Sequence, residues 1–278
     1  MKKERPQRLA VRLWRLEGIG EAVRGPVPES VPKILSDGLL IALLETGTVR
    51  ALYRGGTHAL RRGTLILGQP DEAVAFAPVG CTSSPIRIRL SCPREVVQKV
   101  ANEVTGRTSA TPFFPNFITP DPQLAALFQA FHRTLGSPAT ELERSSRFHD
   151  VLACIISRHA SPSQTRRKIK PERSAVRRVR QYLHENYADN VNLDELARLV
   201  GLSGFHLTRV FRMEVGLPPH AYQTQVRLTN AKLLLAKGWS IDNAAMAAGF
   251  FDQSHFTNKF RRLFGYTPGV YQKSILKK

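Results

Sequence analysis

The sequence predicts an α+β protein in which a small β-barrel or sandwich precedes an all-α part. Short apolar or β-branched runs separated by Gly and Pro fill residues 39–91, and apolar residues at helical spacing follow from residue 94. Between Asn192 and Gln272 the sequence pattern of a pair of helices occurs twice. At 278 residues the chain is long enough for two domains. We expect an N-terminal domain at residues 1–160, a basic linker at 161–172 and a helical domain at 173–278.

The composition is that of a folded and strongly basic protein. Hydrophobic residues make up 42% of the chain, and the formal net charge is +19. Because Lys and Arg near phosphates gain affinity by releasing counterions, this charge favours a polyanionic partner. A generally basic proteome is the alternative explanation of the excess.

Cysteine usage and hydropathy argue against a secreted or membrane protein. Cys81, Cys92 and Cys154 show no CxxC spacing and no Cys/His clustering, so neither a disulfide framework nor a zinc site is expected. The basic N-terminus lacks the apolar segment of a secretory leader, and the longest apolar run, Leu39–Leu44, is too short to span a bilayer. We expect a cytoplasmic protein with no membrane contact and no cofactor.

The N-terminal domain carries the signals of closely spaced strands. Residues 1–34 are interrupted by four prolines, so one short strand near residues 10–16 is all that is expected there. Six strands so close together suggest a small barrel or sandwich. They are expected at residues 39–45, 48–54, 57–61, 64–68, 73–77 and 86–91.

A metal-dependent enzyme is the alternative for such a barrel. It would need three or four His or Glu ligands converging on one site, whereas this region offers His58 with Glu45, Asp71 and Glu72 scattered around it. We therefore expect no catalytic residue and no metal, and a surface or pocket-lining role for His58. Cys81 is expected to be an inert thiol rather than a redox sensor.

Three helices are expected after the barrel, at residues 94–104, 122–135 and 140–159, because apolar residues recur there with the helical period. Phe113, Phe114 and Phe117, in the loop between the first two, are expected to pack back on the barrel. The broad apolar stripe of the last two helices either dimerises or caps the barrel. The basic segment that follows, including Arg177 and Arg178, is either a solvated helix face or a phosphate contact.

The helical domain repeats one plan, at residues 193–216 and 241–265. In each copy a short apolar-periodic segment runs to a glycine, and a second helix then opens with its apolar residues on one face. Two helices joined by a tight turn make a helix-turn-helix. The matching signals are Gly201 and Gly249 at the turns, Ser203 and Asp252 as N-caps, and Gly216 and Gly265 at the helix ends.

The segment at residues 220–238 predicts a helix that connects the two copies. Such a helix of about 17 residues would span roughly 25 Å. With the offset of each recognition helix added, the two would lie roughly 34 Å apart, which is one turn of DNA. A rigid connector would thus let one monomer read two successive major-groove segments.

Six motifs follow one another within residues 173–273, namely A-x-x-x-G-L-S (197–203), L-x-R-x-F (207–211), R-L-x-x-A-x-x-L-L (227–235), A-x-x-x-G-F (245–250), F-x-x-x-F-R-R-x-F-G (256–265) and T-P-x-x-Y (267–271). With these motifs the segment resembles the C-terminal DNA-binding domain of AraC/XylS-type transcription regulators. The resemblance implies a cupin-like N-terminal jelly roll that binds an effector in its interior, and residues 47–72 look like the strand and turn pattern of such domains with Thr64 in place of an acidic residue.

Polar residues off the apolar face of each recognition helix are the candidates for DNA contact. Arg209 can pair with guanine, with a salt bridge inside the bundle as its alternative, and Asn258 can pair with adenine. Phe205 either packs on thymine methyl groups or staples the helix start. Arg261 and Arg262 are expected to reach phosphates. The full candidate set is Ser203, Phe205, Thr208, Arg209, Arg212, Gln253, Ser254, Thr257, Asn258, Arg261 and Arg262.

Taken together, the sequence predicts an effector-responsive transcription regulator that binds double-stranded DNA. RNA polymerase, a small-molecule effector and a second copy of the chain, bound through the N-terminal domain, are the further candidate partners. Two alternatives remain from other classes. One is a cupin-type binding protein or enzyme with a basic helical appendage, and the other is an architectural protein that binds DNA through charge without sequence preference.

Overall fold

A computed structural model describes residues 11–27, 33–36, 38–70, 72–80, 84–106, 108, 111–161 and 171–276, without the side chains of 171–173 and 276. Two sheets form the N-terminal part. One has six strands in the order β1-β2-β9-β4-β7-β10 and the other has four in the order β3-β8-β5-β6. The strands are β1 Arg12–Leu16, β2 Gly20–Pro26, β3 Ile34–Leu35, β4 Leu39–Leu44, β5 Thr48–Tyr53, β6 Gly56–Arg61, β7 Leu65–Gly68, β8 Ala73–Pro78, β9 Ile86–Cys92 and β10 Ile118–Thr119.

Strand β4 shows how the two faces of the large sheet are used. All six of its residues are buried, because side chains alternate between two apolar layers. Leu39, Ile41 and Leu43 pack in the core that the sheet shares with the flanking helices. Leu40 and Leu44 point the other way, into the interior between the sheets. The predicted barrel or sandwich is thus confirmed, and β4 contributes apolar side chains to its interior.

The prediction for the N-terminal residues was wrong in one respect. The strand expected near residues 10–16 is present as β1, but β2 follows it and pairs with both β1 and β9. Its sequence, GEAVRGP, has two glycines and no alternation of apolar residues, so local pattern gave no signal. Pairing with two neighbours supplies the stability that its propensity lacks. The two-residue strands β3 and β10 were also missed, because segments this short show no local pattern of apolar residues.

Helices α1 Arg94–Thr105, α2 Pro122–Thr134 and α3 Glu141–His159 cover the outer face of the six-stranded sheet. Phe148, Val151 and Ile155 of α3 are buried in that core. Most of the apolar stripe therefore caps the barrel. Leu127 and Leu142 of the same helices are exposed, and dimerisation stays a prediction. Phe114 and Phe117 are also buried, as expected.

The helical part contains two similar units joined by one long helix. Ser203 accepts a hydrogen bond from the His206 N–H at 3.2 Å and Asp252 one from the His255 N–H at 2.6 Å, so both predicted N-caps are confirmed. Gly216 and Gly265 end their helices in the left-handed conformation. The helices are α4 Pro171–Glu185, α5 Leu193–Val200, α6 Gly204–Val215, α7 Pro219–Ala236, α8 Ile241–Ala247, α9 Gln253–Phe264 and α10 Pro268–Leu276.

The first strands of the barrel dock on both helical units. Lys33 Nζ donates to the Gly216 carbonyl at 2.8 Å, where a cation also suits the C-terminus of α6. The Gln225 side chain of α7 accepts from the Leu35 N–H at 2.7 Å and donates to the Lys33 carbonyl. Val23 of β2 is buried in the core of the second unit. The N-terminal part thus contacts the two units at once.

The predicted linker falls largely on residues 162–170, which lie outside the described residues. The division into domains at 160 and 173 therefore stays a prediction. Among the described residues, no helix is both long enough and apolar enough to cross a membrane.

Candidate nucleic-acid interface and ligand cavity

The recognition helix of the first unit, α6, presents a polar face to solvent. Leu207, Val210 and Phe211 bury its other face in the core of the unit. The Ser203 cap fixes where the helix begins, and hence which residues face outward. Of the sequence candidates in this unit, Ser203, Phe205, Arg209 and Arg212 are exposed and Thr208 is half-buried.

The exposed residues of α6 form one shallow recess. Phe205 is 83% exposed and Met213 is 66% exposed. Both line a recess of about 430 Å³ together with Thr208, Arg209 and Arg212. Arg209 forms no ion pair with any described residue, so nothing in the unit neutralises it, and an aromatic ring as exposed as Phe205 does not staple the helix start. Met213 belongs to this surface. The sequence analysis missed it, because methionine is an apolar residue type that usually predicts burial in the core.

The second recognition helix, α9, has the same design. Phe256, Phe260 and Leu263 bury its inner face, and Asp252 caps its start. On the outer face Thr257 is half-buried, and Gln253, Ser254, Asn258, Arg261 and Arg262 are exposed.

Phe251 is a further candidate on the second unit that the sequence prediction missed. It is 98% exposed and precedes the cap of α9. The second copy has one more residue between the turn glycine and the cap, Gly249 to Asp252, than the first has between Gly201 and Ser203. This extra residue lengthens the turn, and the difference between the two copies could have identified Phe251 from the sequence.

The connector α7 fixes the two units through a hydrogen-bonded clamp. Arg227 donates to the carbonyls of Tyr187 at 2.7 Å and Asp189 at 2.9 Å, and Gln223 also donates to the Asp189 carbonyl at 2.9 Å. The clamped turn packs against the second unit, because the Gly249 Cα approaches the Ala188 carbonyl so closely that a Cβ would lie 2.3 Å from its oxygen. The turn before the first unit is thereby tied to the turn of the second.

A cavity of about 920 Å³ runs from the barrel interior to the seam with the helical part. Its inner wall is apolar and its outer end is lined by side chains of α7, α9 and α10. The inner wall includes Leu40, Val49, Leu60, Ile66, Val74 and Phe76. The outer end includes Lys232, Phe264, Tyr271 and Ile275.

Two buried arginines of β9 border this cavity. Arg87 and Arg89 are each 8% exposed. Arg87 Nη1 donates to the Pro26 carbonyl at 3.2 Å, and the Nε of Arg89 has no hydrogen-bond partner among the described residues. Burial, together with the like charge of Arg89, lowers the pKa of Arg87 to about 9. The sequence analysis did not single them out.

Glu21 of β2 joins the barrel to the helical part at the same seam. Its carboxylate lies 2.5 Å from Lys232 Nζ of α7, accepts a hydrogen bond from the Tyr266 hydroxyl at 2.9 Å and lies 3.7 Å from Arg89. Burial alone would raise the pKa of Glu21, but Lys232 and Arg89 hold it below its ordinary value. Lys232 also lies over the rings of Phe264 and Tyr271.

The residues considered for a metal site are engaged in other contacts. Glu45 pairs with Arg24 at 2.8 Å, and Glu72 pairs with Arg54 at 2.7 Å. His58 is half-buried, with its ring 5.3 Å from that of Phe117. Within the described part of the chain, no group of three His, Cys, Asp or Glu residues could hold a metal ion. Asp71 and Cys81 lie outside the described residues.

Two family models match the chain in separate segments. An AraC-like ligand binding domain matches residues 29–152, and a helix-turn-helix domain matches residues 196–274. The first match covers the strands from β3 to β10, helices α1 and α2 and most of α3. The second covers both helix-turn-helix units and the connector between them.

Curated relatives share one or both segments. An uncharacterized HTH-type transcriptional regulator of Bacillus subtilis, YbfI, is 28% identical over 247 residues, which cover 89% of this chain and 86% of the relative. The HTH-type transcriptional activator RhaS of Escherichia coli is 36% identical over 88 residues, which cover 31% of this chain and 32% of RhaS.

Solved structures of ToxT from Vibrio cholerae share the fold over nearly the whole chain. One aligns with a TM-score of 0.54 at 8% identity and covers 98% of this chain and all of the other. A second, described as bound to an unsaturated fatty acid, aligns with a TM-score of 0.52 at 11% identity and covers 99% of each chain. At such identities the likeness shows the fold alone.

Proposed function

This chain belongs to the AraC family of DNA-binding transcription regulators, and we propose that one copy of it reads two successive major-groove segments of a duplex. We further propose that a small molecule held in its N-terminal ligand-binding domain controls that reading. The two parts of the proposal rest on different parts of the structure.

The observation that carries DNA reading is the repeated recognition helix. α6 and α9 each begin at a side-chain cap, bury one face and expose a polar face. The 18 residues of α7 span roughly 27 Å, which suits helices placed about one turn of DNA apart. The clamp from α7 to residues 187–189 supports a fixed spacing between the two units.

Each exposed residue has a role that follows from its chemistry. Arg209 can donate two hydrogen bonds to guanine O6 and N7, and Asn258 can pair with adenine N6 and N7. Phe205 and Phe251 offer apolar contact to thymine methyl groups. Ser203, Thr208, Gln253, Ser254 and Thr257 add hydrogen bonds to bases or phosphates, and Arg212, Arg261 and Arg262 neutralise phosphates and fix the register.

The effector is proposed to bind in the cavity between the barrel and the helical part. Its volume of about 920 Å³ lies within the range of small-molecule sites. Both parts of the chain line it, so a bound molecule would contact the DNA-binding units directly. The fatty acid named for one ToxT structure shows that a protein of this fold can hold a small molecule.

We place no catalytic activity in the chain, since the relatives with which it aligns are named as transcription regulators. A cytoplasmic location fits such a role. RNA polymerase and a second copy of the chain are proposed as protein partners of the regulator on DNA. They would have to bind elsewhere than through Phe148, Val151 and Ile155 of α3, which are buried in the core beneath the helices.

The DNA-reading proposal is tested by capturing genomic fragments with the purified chain at about 150 mM salt, where charge-driven binding is reduced. Arg209→Ala and Asn258→Ala are compared with wild type, and Arg50→Ala, on the exposed face of β5, serves as the control. We expect two enriched motifs about one helical turn apart. Each recognition variant should weaken one of them by about 1–3 kcal/mol.

Uniform capture, unchanged by either recognition variant, would contradict the proposal. That result would indicate an architectural protein whose affinity falls steeply with salt and does not depend on sequence. The Arg50→Ala control should match wild type, because it removes one positive charge from an exposed position of β5 in the barrel, outside both recognition helices.

A further inference from the structure

Strand β9 places two arginines on the face that borders the cavity, where the neighbouring strand β4 places apolar residues. Ile88 and Leu90 face the helix-covered core, and Arg87 and Arg89 alternate with them on the other face. That face borders the same cavity as Leu40 and Ala42 of the neighbouring strand β4. Two buried guanidinium groups thus lie at the boundary between an apolar chamber and the seam.

These charges are poorly compensated within the described structure. A guanidinium carries five N–H donors. Arg87 makes one hydrogen bond, to a backbone carbonyl, and the Nε of Arg89 is left without a partner. A buried charge that lacks a partner costs free energy, and a bound anion would remove that cost.

Glu21 shows which anion the site accepts. Its carboxylate lies among Lys232, Tyr266 and Arg89, with Arg89 at 3.7 Å, which is beyond hydrogen-bond distance. Lys232, Arg87 and Arg89 therefore bring three positive charges to a cavity end where Glu21 supplies one buried negative charge. Glu17, the other described carboxylate lining the cavity, is exposed. The positive charge of these three side chains exceeds the single buried negative charge of Glu21. A second carboxylate, from a ligand in the cavity, would balance part of that excess.

We propose that Arg87 and Arg89 form the anion site of the effector cavity and that the effector is a carboxylate with an apolar body. The apolar body lies in the barrel chamber beside Leu60, Ile66 and Phe76, and the carboxylate pairs with the two guanidinium groups. Guanidinium groups suit this role because their paired N–H donors match a carboxylate. This inference rests on the proposed function, in which the cavity holds the effector.

The same geometry gives the effector a route to the DNA-binding units. Arg89 is shared between the anion site and Glu21, and Glu21 is bound in turn to Lys232 of the connector and Tyr266 of the second unit. A ligand carboxylate competes with Glu21 for Arg89. Binding therefore weakens the ion pair between Arg89 of β9 and Glu21, and leaves Glu21 to Lys232 of α7 and Tyr266 alone. Loss of the Glu21 charge favours binding.

The test measures binding of decanoate to the full chain by calorimetry, with decanol as the neutral molecule of equal length. Phenylbutyrate and phenylbutanol form a second pair that distinguishes an aromatic from a linear body. Wild type should bind at least one carboxylate about tenfold or more tightly than its alcohol, since a charge-assisted pair is lost in the alcohol. Equal affinity for acid and alcohol in both pairs would overturn the proposal without any variant.

Variants locate the site. Arg89→Met and Arg87→Met keep an unbranched apolar stem and remove the charge, and each should lower carboxylate affinity about tenfold while alcohol affinity changes little. Arg50→Met is the matched control and should behave as wild type. Glu21→Gln should tighten carboxylate binding severalfold, because the internal competitor is removed. A carboxylate preference that both cavity variants retain would overturn the assignment.

The outcomes separate this inference from the proposed function. Sequence-specific DNA capture by a chain that does not distinguish acid from alcohol would leave the regulator intact and remove the carboxylate site. A carboxylate preference lost in Arg89→Met, in a chain that captures DNA uniformly, would establish the site and remove the sequence-specific regulator.

Discussion

Burial holds His132 of α2 in its neutral form. The residue is 5% exposed, its ring lies 5.2 Å from that of Trp14, and its Nε2 has no partner among the described residues. Desolvation lowers the pKa of His132 to about 4. The folded state therefore disfavours the charged imidazolium, which the unfolded chain accepts near pH 6.5.

This burial predicts an acid-dependent loss of stability. Because the folded pKa lies below the unfolded one, the contribution of neutral His132 is complete above about pH 6.5 and declines until about pH 4. Between pH 7 and pH 5 it amounts to about 2 kcal/mol of unfolding free energy. His132→Phe, which cannot titrate, should show a correspondingly smaller loss in urea unfolding. An identical pH dependence in the two proteins would refute this account of the residue.

Single residues differ in how far sequence could place them. The exposed positions of α6 and α9 were predictable, since the 3.6-residue period assigns one face to the core and leaves Arg209 and Asn258 outside. Arg87 and Arg89 were not, because both faces of β9 are buried and alternation cannot tell the core from the cavity. Their importance depends on β2 and α7, which are distant in sequence.

At the level of elements, the two helix-turn-helix turns use glycine for different reasons. Gly201 and Gly249 both have positive φ, +68° and +78°. A Cβ on Gly201 would meet nothing within 4 Å, whereas one on Gly249 would lie 2.3 Å from the Ala188 carbonyl oxygen. The first turn needs glycine for its backbone conformation. The second also needs it for close approach to the clamped turn.

Alanine at these two positions should separate the two effects. Gly201→Ala is expected to cost about 1–2 kcal/mol, the strain of a left-handed residue with a side chain. Gly249→Ala should cost about 1–3 kcal/mol more, because the Ala188 carbonyl must also move. Thermal unfolding of the two full-length variants measures the difference. Equal losses would mean that the second unit does not rest on the clamped turn.

Helices with caps were predicted closely, and short strands were not. The caps Ser203 and Asp252 and the end glycines are local signals, so the sequence around each helix contains its boundaries. Strands β2, β3 and β10 exist because neighbouring strands offer hydrogen bonds, and β2 pairs with strands on both sides. Such pairing joins residues far apart in the chain and leaves no local pattern.

At the scale of the whole molecule, three sets of contacts hold the barrel on the DNA-binding part. Lys33 binds the end of α6, Gln225 of α7 binds the backbone of residues 33 and 35, and Glu21 binds Lys232 and Tyr266. These contacts leave the recognition residues of α6 and α9 exposed. The barrel can therefore influence the position of the two units without covering the surface proposed to meet DNA.

The central claim, that one chain reads two successive major-groove segments at a fixed spacing, is tested most directly by changing that spacing. The measurement is the affinity of the purified chain for a duplex carrying both captured motifs, for single-motif duplexes, and for duplexes with about 5 or 10 base pairs inserted, which are half a turn and one turn.

We expect either insertion to reduce the affinity to that of a single motif, because α7 and its clamp set the distance as well as the rotation between α6 and α9. A duplex with a full-turn insertion that binds as tightly as the original would contradict the account, since the two motifs would then be read independently of the connector.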